Sequence, residues 1–277
     1  MKLGVIGNGF VGKASRNLEN PEVQVLSYDL NPALCIPIGT TFDDIANCDV
    51  VFVSVPTPMN EDGSVHINIV EKVVRQLQKA GVKDIVIRST VPPGTSSRLN
   101  VHFIPEFLTE RNFMNDFIAT DPWIMGAMND NEEFKNKMRF IMNKSVEYGN
   151  IKSSNIEWVS NTEGEMIKYF RNTFLAVKVS FCNEIYEFCQ TKNIDYEKIR
   201  SIAARDQRIG LSHTLVPGLD GKMGYGGTCF PKDINGLNCE YKKAGLTSFI
   251  LDSAIRRNEQ VDRKEKDWAN DKGRATI

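Results

Sequence analysis

Histidine is scarce. The 277 residues carry three, His66, His102 and His213, and no HExxH pair occurs among them. None of the six cysteines (Cys35, Cys48, Cys182, Cys189, Cys229, Cys239) stands in a CxxC pair. The usual zinc spacings are therefore absent, and a histidine-based acid–base centre has no signal. No apolar run reaches the length that a bilayer crossing needs. The opening MKLGVIGNGF is broken by Gly7 and Gly9 before a signal-peptide core can form, so a cytoplasmic chain with reduced thiols is expected. An excess of charge of one sign is also missing: the net charge is −1, with 25% charged residues. No global field then draws nucleic acid or a membrane surface. What remains is an ordinary globular composition, 41% hydrophobic, long enough for two domains or one large one.

The first half alternates strand and helix patterns. KLGVI (2–6) reads as a short strand, followed by GNGFVG with Gly7, Gly9 and Gly12 in GxGxxG spacing. Phe10 and Val11 start a helix there, and EVQVLSYD (22–29) reads as a second strand ending in Asp29. Gly7 makes the tight turn, Gly9 lets the backbone approach a pyrophosphate, and Gly12 lets helix pack on sheet. The helix N-terminus offers N–H groups to phosphate, and Asp29 can accept from the ribose hydroxyls, which favours NAD over NADP. A lone GxGxxG is weak, but strand, turn, helix, strand and acid fall in register. The alternation continues through FDDIANC, DVVFVSVP, NIVEKVVRQLQKAG and KDIVIRST, which indicates a Rossmann-type, mostly parallel sheet. Ligands bind such sheets at the strand C-termini. The loops that leave those ends nominate Thr57, Thr90 and Glu106, against a plain reading of proline-rich turn punctuation. PWIMGAM, NEEFKNKMRFIMNKS and the edge strand IEWVS close a dinucleotide domain over 1–160.

Residues 161–277 read as an all-helical domain. The stretch 163–190 has no proline and one glycine, and predicts one long central helix. It is apolar on more than one face, so it is either a core helix or a dimer interface. Lys168 and Asn172 are four apart on it and share a face; amid apolar surface they need a partner or a substrate, while the bland alternative is a solvated lysine. A second helix is expected over 195–210, ending at Gly210, and a charged final helix from about 248 to 272. Between them lies GYGGTCFPKD (224–233). Pro231 suits the first turn of a helix, which puts Cys229 just before a helix N-terminus that favours a thiolate. Lys232 adds positive charge, Gly226 and Gly227 clear the approach to sulfur, and Asp233 could hold a water or take a proton. Cys229 is either an activated nucleophile or a thiol packed beside Phe230.

GNGFVG, SVPTP, STVPPGT, PEFL, the Lys168–Asn172 pair, RIG at 208–210 and GYGGTCFPKD stand in the order seen in one family. Nearly the whole chain resembles the UDP-glucose/GDP-mannose dehydrogenases, and RIG with GYGG resembles their UDP-glucose branch. The resemblance implies NAD-dependent four-electron oxidation of UDP-glucose to UDP-glucuronate, in which Cys229 forms a thiohemiacetal and then a thioester. By the same resemblance, Lys168 and Asn172 stabilise the oxyanion, and Asp233 positions water. Glu106 assists proton transfer, Thr90 and Thr57 lie at the cofactor, and Lys232 contacts it. Phe107, Leu108, Arg208 and Gly226 meet the nucleotide sugar. A homodimer through the long helix follows. The chain stops after the central helices, so the family's C-terminal UDP-binding domain is expected to be absent; the short SSRLNVHF connection implies an abridged sheet edge. Two alternatives stay open: a two-electron β-hydroxyacid-type dehydrogenase, and a truncated NAD-binding homologue with little activity.

Overall fold

Strands buried on both faces need apolar residues at successive positions, and the runs in the first half supply them. The computed structural model describes residues 1–277. Its strands are β1 (Lys2–Ile6), β2 (Gln24–Tyr28), β3 (Val50–Val53), β4 (Ile85–Ile87), β5 (His102–Phe103), β6 (Trp123–Gly126) and β7 (Ile156–Val159). They form one sheet in the order β2-β1-β3-β4-β5-β6-β7, in which every neighbouring pair is parallel except β5 and β6. The helices of this half are α1 (Phe10–Ser15), α2 (Phe42–Ala46), α3 (Asn68–Lys79), α4 (Thr95–Arg98), α5 (Phe113–Ile118) and α6 (Glu132–Glu147). Period-two alternation sorts each strand's side chains between two cores. Leu3, Val5, Phe52 and Val86 pack with Ala14, Phe117, Phe134 and Met138 of α1, α5 and α6. Ile6, Val51, Val53, Ile85 and Ile87 pack with Val70, Val74 and Leu77 of α3.

The crossover from β4 to β5 passes through only the four residues of α4; the sequence places an abridged sheet edge here, but β4 and β5 are inner strands and the edges are β2 and β7, so the crossover alone is abridged. The N-terminus of α4 is held by Glu165, whose buried carboxylate accepts from Gly94 N–H (2.5 Å), Ser96 N–H (2.8 Å) and Ser96 Oγ (2.6 Å). Burial raises that carboxyl above its ordinary range in spite of the three bonds.

The chain divides into two compact units, Met1–Thr57 with Ile67–Lys168, and Pro58–His66 with Tyr169–Ile277. The long helix α7 runs over Asn161–Thr191. The second unit continues with α8 (Tyr196–Ala203), α9 (Phe230–Lys243) and α10 (Phe249–Arg257), the last prolonged by a π turn, Asn258–Asp262. Ala176, Tyr225, Ile234, Ala254 and Ile255 form its core. Pro58–His66 carries no helical or apolar signal, yet it pairs within this unit with the last residues of the chain: Met59 N–H donates to Ala275 O (2.9 Å) and Ile277 N–H to Met59 O (3.1 Å).

Two predicted helices end early. α8 stops at Ala203 rather than at Gly210. Asp206 Oδ1 accepts from Arg208 N–H, and Lys178 Nζ takes the carbonyls of Ile209 (2.8 Å) and Gly210 (3.1 Å), so 206–210 turns instead of winding on. The final helical run stops at Asp262 rather than near 272, because Arg263 leaves helical geometry at φ −139°.

Candidate active site

A dinucleotide loop needs a turn that no side chain obstructs. Gly7 adopts φ +88°, and a Cβ there would stand 2.6 Å from the Ser54 carbonyl oxygen. A Cβ at Gly12 would collide with the Gly7 carbonyl, so α1 can sit against the turn only with glycine at that position. Gly9 caps α1 and has open space where a Cβ would stand. Its bare backbone, followed by the N–H groups of Phe10 and Val11, fits the approach of a pyrophosphate. Asp29 directly follows β2, beside this turn: Oδ2 accepts from Asn8 N–H (2.8 Å) and Oδ1 from Asn31 N–H (2.9 Å). The carboxylate is thereby held at the glycine turn. Thr57 and Thr90, both buried, follow β3 and β4.

The first unit also holds a buried ion pair. Lys168 is 3% exposed, and its Nζ donates to Glu106 twice, to Oε1 and to the backbone carbonyl, both at 2.7 Å. Leu108 N–H donates to the other carboxylate oxygen at 2.9 Å, and the Phe107 ring lies 5.6 Å from the ammonium. The solvated-lysine reading is thus excluded by burial. Arg88 is buried in the same unit. Burial pushes its guanidinium down to about 10, against the pull of the Glu106 charge.

In the second unit, Cys229 is the N-cap of α9, with Pro231 in the first turn. The thiol is half-buried, with Thr228 Oγ1 3.7 Å from the sulfur. One turn into the helix, Asp233 is fully buried. Lys232 Nζ donates to its Oδ1 (2.5 Å) and Asn172 Nδ2 to its Oδ2 (2.6 Å). The α9 sequence thus sets a thiol at the positive end of a fourteen-residue helix, with a carboxylate whose two oxygens are fixed by a cation and an amide.

Arg208 is exposed and forks onto Asp206, with Nη2 to Oδ2 at 2.5 Å, rather than onto any of these groups. Gly227 has open space at the Cβ position, whereas the place of a Gly226 side chain is filled by the guanidinium of Arg263. Asn183, Asn258 and Arg263 contact the Gly224–Gly226 backbone, and no motif announces them. No group of three or more His, Cys, Asp or Glu residues is placed to hold a metal.

Comparison with known proteins bears on this geometry. Residues 37–145 match the NAD binding domain of the UDP-glucose/GDP-mannose dehydrogenase family, and residues 162–260 match its central domain. The UDP-glucose 6-dehydrogenase of Rickettsia typhi is 34% identical over 230 residues, which cover 78% of this chain and 50% of that one. The chain spans about half the length of the curated relatives it matches. Among solved structures, a UDP-glucose dehydrogenase from Pyrobaculum islandicum aligns with a TM-score of 0.80 at 25% identity, covering 93% of this chain and 68% of that one. The 3-hydroxyisobutyrate dehydrogenase of Mycobacterium tuberculosis, at 14% identity and a TM-score of 0.68, covers 99% of this chain and 96% of that one, and shares the fold alone.

Proposed function

Because the chain belongs to the UDP-glucose/GDP-mannose dehydrogenase family, we propose that it oxidises the C6 alcohol of a nucleotide sugar, UDP-glucose foremost, to the carboxylate. The observation that carries this reading is the seating of Cys229 on the N-cap of α9, with Lys232 and Asp233 in the first turn. A two-electron alcohol dehydrogenase has no use for a thiol seated at a helix N-terminus.

NAD, when bound, supplies the hydride acceptor; Gly7–Gly12 and Asp29 would hold it. The residues of the chain do the rest. Lys168 steadies negative charge on the reacting oxygen, helped by Asn172, while Glu106, bonded to that lysine, relays the alcohol proton. After loss of a first hydride, the Cys229 thiolate adds to the C6 aldehyde and the oxygen takes a proton, giving a thiohemiacetal. Loss of a second hydride and that proton leaves a thioester. Water positioned by Asp233 cleaves it, which releases the carboxylate and regenerates the thiol. Two NADH form per sugar. Thr57, Thr90 and Lys232 belong to the cofactor side in this scheme, and Phe107, Leu108, Arg208 and Gly226 to the nucleotide sugar.

The same reading makes the protein a cytoplasmic homodimer. No helix is long and apolar enough to cross a membrane. On α7, Phe170, Phe174, Phe181 and Phe188 are 57–65% exposed, at spacings of four, seven and seven that align them in one stripe. A second copy is the occupant that a self-complementary stripe fits.

The test counts NADH per molecule across a panel of UDP- and GDP-sugars. Two per UDP-glucose, with Cys229→Ser stalling after the first oxidation, is the expected result. One per substrate, independent of Cys229, would instead favour a hydroxyacid-type oxidation. NAD binding without turnover on any nucleotide sugar would sink the enzymatic reading.

A further inference from the structure

The loop that carries Cys229 into α9 is built from glycines and cannot hold its own shape. Gly224, Tyr225, Gly226 and Gly227 precede Thr228 and Cys229, and both Gly224 (φ +66°) and Gly227 (φ +71°) are in left-handed backbone. Such a segment loses the most entropy on ordering, so something else must fix it. Three side chains do so from within the same unit. Asn183 Oδ1, on α7, accepts from Gly224 N–H at 3.0 Å. Asn258, fully buried, clamps Tyr225 on both sides: its Oδ1 accepts from Tyr225 N–H (2.8 Å) and its Nδ2 donates to Tyr225 O (2.9 Å). Arg263, 3% exposed, lies against Gly226, where an added Cβ would stand 2.6 Å from Nη2 and 2.7 Å from Nε. Two carboxylates hold that guanidinium in turn: Asp267 accepts from Nε and Nη2, and Asp220 from Nη1, all at 2.7 Å.

The backbone between Asn258 and Arg263 explains how one short segment reaches the loop twice. These two residues are five apart. On an α-helix, positions five apart point about 140° away from each other. Here the segment is a π turn, closed by Arg263 N–H donating to Asn258 O at 2.7 Å. With that i→i+5 bond in place both side chains reach the same loop, Asn258 at Tyr225 and Arg263 at Gly226. π turns are rare, and they concentrate at functional sites. In this chain α10 would otherwise continue as an α-helix and carry Arg263 away from Gly226.

We propose that Asn258 and Arg263, brought to one loop by the π turn, are positioning residues that set the Gly224–Gly227 loop and so keep Cys229 on the N-cap of α9. The inference rests on the reading of Cys229 as the nucleophile, but its test does not depend on turnover. Loosening the loop takes the sulfur off the helix N-terminus, and the thiolate loses that support.

The primary measurement is the rate of iodoacetamide alkylation at Cys229, resolved from the other cysteines by peptide mass spectrometry. Asn258→Ala and Arg263→Ala are expected to slow it by about twofold to fivefold, the range open to a helix-terminus interaction. Arg256→Ala, which removes only an exposed pair with Asp252 on α10, serves as the reference and should leave it unchanged. If either loop variant fails to fold, Asp267→Asn loosens Arg263 from its exposed side and should slow alkylation in the same direction. A packing cycle adds a second arm. Gly226→Ala alone should slow alkylation, because its methyl displaces the guanidinium. In Gly226→Ala with Arg263→Ala the space is vacant, so the double variant should be no slower than Arg263→Ala. With NADH turnover as a further readout, kcat should fall while KM for NAD stays within about twofold, since the dinucleotide turn is not touched. Alkylation rates at wild-type level in folded Asn258→Ala and Arg263→Ala, or strict additivity in the cycle, would overturn the proposal. Absence of NADH with any nucleotide sugar would count against the functional reading alone, because the alkylation arms still decide this one.

Discussion

The buried pair between Lys168 and Glu106 makes a demand that can be worked through. Both side chains are nearly excluded from water, 4% and 6% exposed, and Nζ meets Oε1 at 2.7 Å. Removing one partner leaves the other charge buried and uncompensated, which costs about 3–5 kcal/mol. Lys168→Met keeps the aliphatic stem, so the loss reports the charge rather than a cavity. Glu106→Gln should likewise destabilise, by somewhat less, because the Glu106 carbonyl still accepts from the ammonium. The double variant buries neither charge. It should therefore lose about 2 kcal/mol or more less than the sum of the two singles, where independent sites would add within about 0.5 kcal/mol. Urea titration suits the measurement, because Trp123 and Trp158 lie in the unit that holds the pair and Trp268 lies in the other. Near the melting temperature, a loss of 3 kcal/mol corresponds to a shift of roughly 6–12 °C for a chain of this size. Additive losses in the cycle would refute the claim that the two charges are energetically coupled, and with it the case for Glu106 acting through Lys168.

Other consequences are as direct. Gly12→Ala should remove NAD binding in a titration and destabilise the first unit, because its methyl would overlap the Gly7 carbonyl. Asp84 gives a pH signature. Burial raises its carboxyl, but the bonds from His102 and Lys137 outweigh burial and hold it below the ordinary range. A carboxyl with a depressed pKa contributes stability that is present above its unfolded value, near 3.9, and is lost as pH falls through the folded value. The stability gap between wild type and Asp84→Asn should accordingly narrow from about pH 6 to about pH 3 in denaturant titrations; a constant gap would contradict the assignment. On α7, Phe174→Lys puts a charge into the exposed phenylalanine stripe and should shift sedimentation from dimer to monomer without loss of helix.

How much could be read in advance depended on distance along the chain. The glycine turn was legible because its parts lie within a few residues: the Gly12 constraint comes from Gly7, and the Gly9 cap from the helix that follows it. The Cys229 cap was legible for the same reason, since Pro231 two residues on marks the helix start. Helix ends were less so. The turn at 206–210 depends on Lys178, 31 and 32 residues upstream of the carbonyls it takes, and a periodicity argument does not see a partner on another helix. Lys168 and Asn172 were nominated together by their four-residue spacing, Glu106 by its place on a strand-end loop and Asp233 by its place four residues after Cys229. Their pairing across 62 and 61 residues came only with the fold. Asn258 and Arg263 carried no signal, because a polar residue after an amphipathic helix reads as solvated surface until its burial is known.

The residue order by itself determined the strand–turn–helix unit, the length of α7 and the placement of a thiol at a helix start. Those follow from steric rules and periodicities that act over one or two turns. Only the tertiary structure decided which buried charge answers which, and what holds the glycine loop before Cys229. Desolvation makes an unpartnered buried charge costly, so the fold must bring Glu106 to Lys168 and Asp220 to Arg263, 62 and 43 residues apart, and that requirement is met by segments distant in the chain.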